Sequence, residues 1–89
     1  MAEDPDLSAA ADEEIVRACA LKWRELAPHV PWGDTFEGFT PAGRTVLFER
    51  GYLWDDAPRG DIRVEVTVYQ AHAYEQGVRQ TRLIARDPQ

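Results

Sequence analysis

The 89-residue chain holds one cysteine, one methionine, one serine, one lysine and two histidines, and each scarcity removes a class of chemistry. A lone Cys19 excludes an intrachain disulfide and any zinc site built on cysteines. One unpaired thiol also fits a reducing compartment, so a cytoplasmic location is expected. Ser8 is the only serine and sits where a helix could start, which leaves no basis for a Ser-His-Asp triad. The six glycines are isolated, so no glycine-rich phosphate loop exists. No apolar run approaches the roughly 20 residues that span a bilayer. The first 14 residues contain no Lys or Arg, unlike the start of a signal peptide. No membrane partner is expected.

The histidines, His29 and His72, form neither an i,i+4 pair nor an H-x-H arrangement and fall on different segments. They supply no metal site, and His29 reads as a ring beside a helix C-terminus. Asp55, Asp56 and Asp61 cluster in one loop, but their spacing matches no calcium loop and Arg59 would repel a cation. Arg59-Gly60-Asp61 matches the integrin tripeptide but is ordinary turn chemistry after Pro58. No catalytic set, metal or cofactor is expected, and the chain reads as non-enzymatic.

The formal charge of −6 is localised. Glu3, Asp4, Asp6, Asp12, Glu13 and Glu14 are six acids without a base, whereas Ile15 onward carries ten acids and ten bases. A neutral body has no basic surface for phosphates, so direct nucleic-acid binding is not expected. An acidic mimic that blocks a nucleic-acid-binding protein would have to use the N-terminal segment.

What is present is amphipathic patterning. Residues 1–7 read as a flexible acidic arm and 8–89 as a single domain. A helix is predicted from Ser8 or Asp12, both good N-caps, to Ala27, where Pro28 ends it. At 100° per residue Ile15, Val16, Cys19, Trp23 and Leu26 form its stripe, which makes Cys19 a buried small hydrophobe. Glu14, Arg17, Arg24 and Glu25 face away, Glu13 is spaced to pair with Arg17, and Leu21 lies opposite the stripe.

Thr35–Thr40 reads as a short strand or a turn, and Pro41-Ala42-Gly43 as a tight turn. A first strand runs from Arg44 to Arg50 and resumes through Tyr52, Leu53 and Trp54, with Gly51 as a bulge. Ile62–Tyr69 alternates strictly and is the second strand. Gln70–Gly77 is read as an extension of that ribbon, with a short helix ended by Gly77 as the alternative. Val78–Ala85 is the third strand, and the last residues are expected to fray. The expected fold is α+β, with the N-terminal helix packed on a three-stranded antiparallel meander. The α-β-β-β order resembles the first four elements of double-stranded-RNA-binding domains. Their closing helix and Lys-rich helix start are missing, so no RNA-binding role follows.

Nine aromatic residues exceed what one helix and three strands can bury, and the surplus points to a contact surface. Trp32 reads equally as a lid over the core or as a contact residue. The expected interface is the outer sheet face with the loop after Trp54: Tyr52, Trp54, Asp55, Asp56, Arg63, Glu65 and Tyr69. These features predict a protein-binding module such as an adaptor, inhibitor or immunity-type protein, whose partner is another protein or a second copy. A structural subunit of a phage or secretion apparatus is the alternative.

Overall fold

The computed structural model describes residues 4–86. The expected arm over residues 1–3 and the expected fraying of residues 87–89 lie outside that range. Helix α1 spans Pro5–Ala18 and starts well before Ser8 or Asp12. Asp4 is its N-cap, accepting the N–H of Asp6 at 2.9 Å and of Leu7 at 3.3 Å, and Pro5 suits a first turn, where its missing N–H costs nothing. Residues Pro5–Leu7 are therefore helix rather than arm.

The buried side of α1 is Leu7, Ala10, Ala11, Glu14, Ile15 and Ala18. Starting the stripe at Leu7 rotates it relative to the expected one. Val16 is exposed, and Glu14, expected to face away, is 4% exposed. Glu14 rather than Glu13 bonds Arg17, at 2.9 Å.

The helix also ends early, at Ala18, with Cys19 as C-cap. A helix continuing to Ala27 would be ~34 Å long at 1.5 Å per residue, against ~26 Å for an eight-residue strand. The break at Cys19–Lys22 turns the chain back instead, into helix α2 over Trp23–Leu26 and a 3₁₀ turn over Ala27–His29. Trp23, Leu26 and Ala27 are buried there. The Trp23 indole N–H donates to the Gly60 carbonyl at 2.7 Å and its ring lies 6.2 Å from that of Trp54.

The sheet has four strands where three were expected: β1 Trp32–Phe39, β2 Thr45–Trp54, β3 Ile62–Tyr69 and β4 Val78–Ile84. They form an antiparallel meander in chain order. Strand β1 takes the strand alternative left open for Thr35–Thr40 and starts earlier, at Trp32, where Gly33 and Gly38 weaken the strand signal. Strand β2 is continuous, with Gly51 in register between Gly33 and Glu65, so no bulge forms. The ribbon expected over Gln70–Gly77 is replaced by a turn and a 3₁₀ segment at Tyr74–Gln76. Tyr74 sets its ring edge-on to Tyr69, 4.7 Å away.

The face toward α1 carries Val46, Phe48 and Tyr52 of β2, Ile62, Val64, Val66 and Val68 of β3, and Val78 of β4, all buried. Helix α1 lies over β3 and β4. The same face of β1 and β2 extends beyond it, and that uncovered half positions the candidate site.

Candidate binding groove

Alternation along β1 puts Trp32, Asp34 and Phe36 on the helix-bearing face, in register with Tyr52, Arg50 and Phe48 of β2. Two aromatic pairs result. Phe36 stacks on Phe48 with centroids 5.1 Å apart and planes within 9°, and Trp32 lies 5.5 Å from Tyr52. The Arg50 guanidinium sits between the pairs, 4.9 Å from the Phe36 centroid and 5.5 Å from that of Trp32. Both geometries are within cation–π range.

All three Arg50 nitrogens face carboxylate oxygens. Nε donates to Asp34 Oδ1 at 2.9 Å and Nη2 to Asp34 Oδ2 at 2.6 Å, a bidentate fork. Nη1 lies 3.5 Å from Oε2 of the buried Glu14. Arg50 thereby ties the uncovered half of the sheet to α1. Its hydrogen bonds hold the Asp34 carboxyl below its ordinary value and, reciprocally, raise the guanidinium pKa. Tyr52 donates its hydroxyl to the Ala18 carbonyl at 2.9 Å, satisfying a group that the helix end leaves open. Burial pushes the Tyr52 hydroxyl above its ordinary pKa.

Between this aromatic wall and the turn from α1 into α2 lies a groove of about 370 Å³, lined by Leu21, Leu26, His29, Trp32, Arg50 and Tyr52. Trp32 is 45% exposed and Leu21 is also exposed. The groove offers an apolar wall backed by the Arg50 cation, which is already paired with Asp34 and Glu14.

The residues expected to form an outer-face interface are divided by the structure. Tyr52 is buried on the helix-bearing face, and Trp54 lies half-buried on that same face against Trp23. Alternation from Ile62 puts the next residue on the opposite face from each inward valine, so Arg63, Glu65 and Tyr69 do lie on the outer face. Arg63 bonds Glu65 at 3.1 Å and Asp55 at 3.4 Å, and Tyr69 donates to Glu49 at 3.0 Å. Asp56 is exposed in the loop after β2.

Cys19 is half-buried at the α1 C-cap rather than mid-helix, and burial raises its thiol pKa, which disfavours the reactive thiolate. His29 reaches the groove rim, while His72 is exposed in the turn after β3. Among the described residues no three His, Cys, Asp or Glu side chains are grouped so as to hold a metal.

Leu21, Leu26, His29 and Arg50 were not among the expected contact residues. Leu21 did carry a signal, as the one apolar residue opposite the helical stripe. Arg50 carried none, because its partner Asp34 sits in a strand that its glycines conceal. No family model, no curated protein and no solved structure matches the chain.

Proposed function

We propose that this protein is a small non-enzymatic binding module that accepts an apolar side chain of a partner protein in the Trp32 groove. The observation that carries the reading is Trp32 itself. A tryptophan left 45% exposed on a wall made rigid by Tyr52 and Arg50 has the character of an interface anchor. The volume of 370 Å³ falls at the low end of small-molecule pockets, roughly 300–1,000 Å³, and suits one inserted side chain.

The outer face is the weaker site, because Arg63 there is already paired with Glu65 and Asp55. The acidic-mimic reading loses ground for a similar reason. Asp4 and Asp6 both engage Arg44, at 2.9 and 3.3 Å, and Asp4 also caps α1.

Trp32→Ala and Leu21→Asp are expected to weaken capture of a native partner about tenfold or more while the circular dichroism spectrum is kept. Arg63→Ala and Tyr69→Ala are expected to leave capture unchanged. The opposite pattern would move the interface to the outer face and end the groove reading.

A further inference from the structure

The two edges of the sheet are built differently. Strand β4 carries Arg79 and Arg82, charged residues of the kind that discourage edge pairing. Strand β1 carries no base, and of its two acids Asp34 is held by Arg50 on the helix-bearing face while Glu37 stands on the outer face. It runs eight residues without Pro, Lys or Arg, and its register with β2 is unbroken from Trp32↔Tyr52 to Phe39↔Thr45. Among the described residues no strand pairs with its other edge. Its outward N–H and C=O groups form a template for one more strand.

The same strand carries a knob and a hollow on the outer face. The knob is Phe39, the most exposed large apolar side chain described, at 69%. The hollow lies where Gly33 faces Gly51 across the ladder, a depression of about 270 Å³ bordered by Thr35, Glu49 and Glu65. A side chain on Gly33 would bring its Cβ within 2.8 Å of the Arg50 carbonyl oxygen, so this floor is backbone by necessity.

Gly33 and Phe39 stand three residues to either side of Phe36. An antiparallel pairing of two β1 strands about a two-fold axis at Phe36 therefore sets Phe39 of each copy opposite Gly33 of the other, on one face. It also sets Asp34 opposite Gly38 and Thr35 opposite Glu37, so no like charges are directly opposed. Centring the axis on Thr35 instead would push Glu37 toward Glu49 and Glu65 and leave Phe39 in water. A closed two-fold interface requires self-complementarity of this kind, and an aromatic ring covering a strand glycine meets it.

We infer that the β1 edge is a homodimer interface, joining two copies into one continuous antiparallel sheet with Phe39 of each copy seated on the Gly33–Gly51 hollow of the other. The occupant is a second copy because the knob and the hollow that match belong to the same strand, in positions related by one axis. This interface is distinct from the Trp32 groove and does not rest on it.

The test is analytical ultracentrifugation of the full chain from micromolar to millimolar concentration, with two variants. Phe39→Lys alters only an exposed side chain. Gly51→Thr fills the hollow where nothing lies within 4 Å of the added Cβ, and it adds a β-branched residue to a strand. The wild type is expected to double in mass. Each variant should weaken association at least tenfold, and Gly51→Thr should melt no lower than the wild type when both are monomeric. In a mixed-isotope sample, NOEs between copies should link the Phe39 ring to the Gly33 and Gly51 α-protons. A wild type that stays monomeric at millimolar concentration overturns the proposal, as does a dimer indifferent to both variants.

Discussion

Arg50 shows how one side chain can define a surface. Its fork on Asp34 and its contact with Glu14 hold the guanidinium between Phe36 and Trp32, so the groove wall is set before any partner arrives. The Asp34 part of this arrangement depends on pH in a definite sense. Because the folded carboxyl titrates below its ordinary 3.8, its contribution is complete above that value and is lost as pH falls through the folded pKa. Asp34 is a third exposed, so solvent screening keeps the contribution to about 1 kcal/mol. Asp34→Asn is expected to lower stability near neutrality by that amount and to flatten the fall in melting temperature as pH drops below 3.8. Calorimetric scans across that range would check it, and parallel acid profiles for variant and wild type would contradict it. At this scale the sequence was only partly legible. Arg63, Glu65 and Tyr69 alternate outward as their strand pattern implies. Tyr52 and Trp54 were misplaced because a bulge at Gly51 was expected, and a bulge changes which face the following residues take.

Among the elements, Ile62–Tyr69 of β3 was read correctly, since four alternating apolar residues fix its inward face, but the ribbon expected to extend it over Gln70–Gly77 is absent. β4 was read almost as well. Helix α1 was recognised but its limits were not. Apolar periodicity does not show how long a helix a small sheet can support, and the turn at Cys19–Lys22 answers that length limit. The N-terminal error has a measurable counterpart. Leu7, expected in a flexible acidic arm, is 3% exposed beneath the first turn of α1. Leu7→Ala should cost about 2–3 kcal/mol, within the usual range for truncating a buried leucine. Urea unfolding would show this as a lower midpoint at unchanged slope, and an unshifted midpoint would return the segment to the status of an arm.

The molecule as a whole is asymmetric in thickness. Helix α1 backs β3 and β4, while β1 and β2 rest on side-chain stacking and the ties through Arg50 and Arg44. Pairing through β1 would support the thinner half from the side. Dimerisation coupled to folding makes the melting temperature depend on protein concentration. It is therefore expected to rise with each tenfold increase in wild-type concentration and to stay flat for Phe39→Lys. A wild-type melting temperature that does not move would argue against the paired state. The α+β class and helix-on-sheet layering were legible at this scale. The fourth strand was left between a short strand and a turn over Thr35–Thr40, so the groove and the open edge, which depend on all of β1, were missed.

The unequal burial of the three tryptophans has an optical consequence. Trp23 is enclosed and Trp54 is half-covered by it, but Trp32 stands 45% in solvent. Red-edge emission and collisional quenching by acrylamide should therefore report chiefly on a single indole. That indole is the one on the groove wall, so the protein carries an intrinsic fluorescent gauge of whether the groove is filled, and no label needs to be attached to read it.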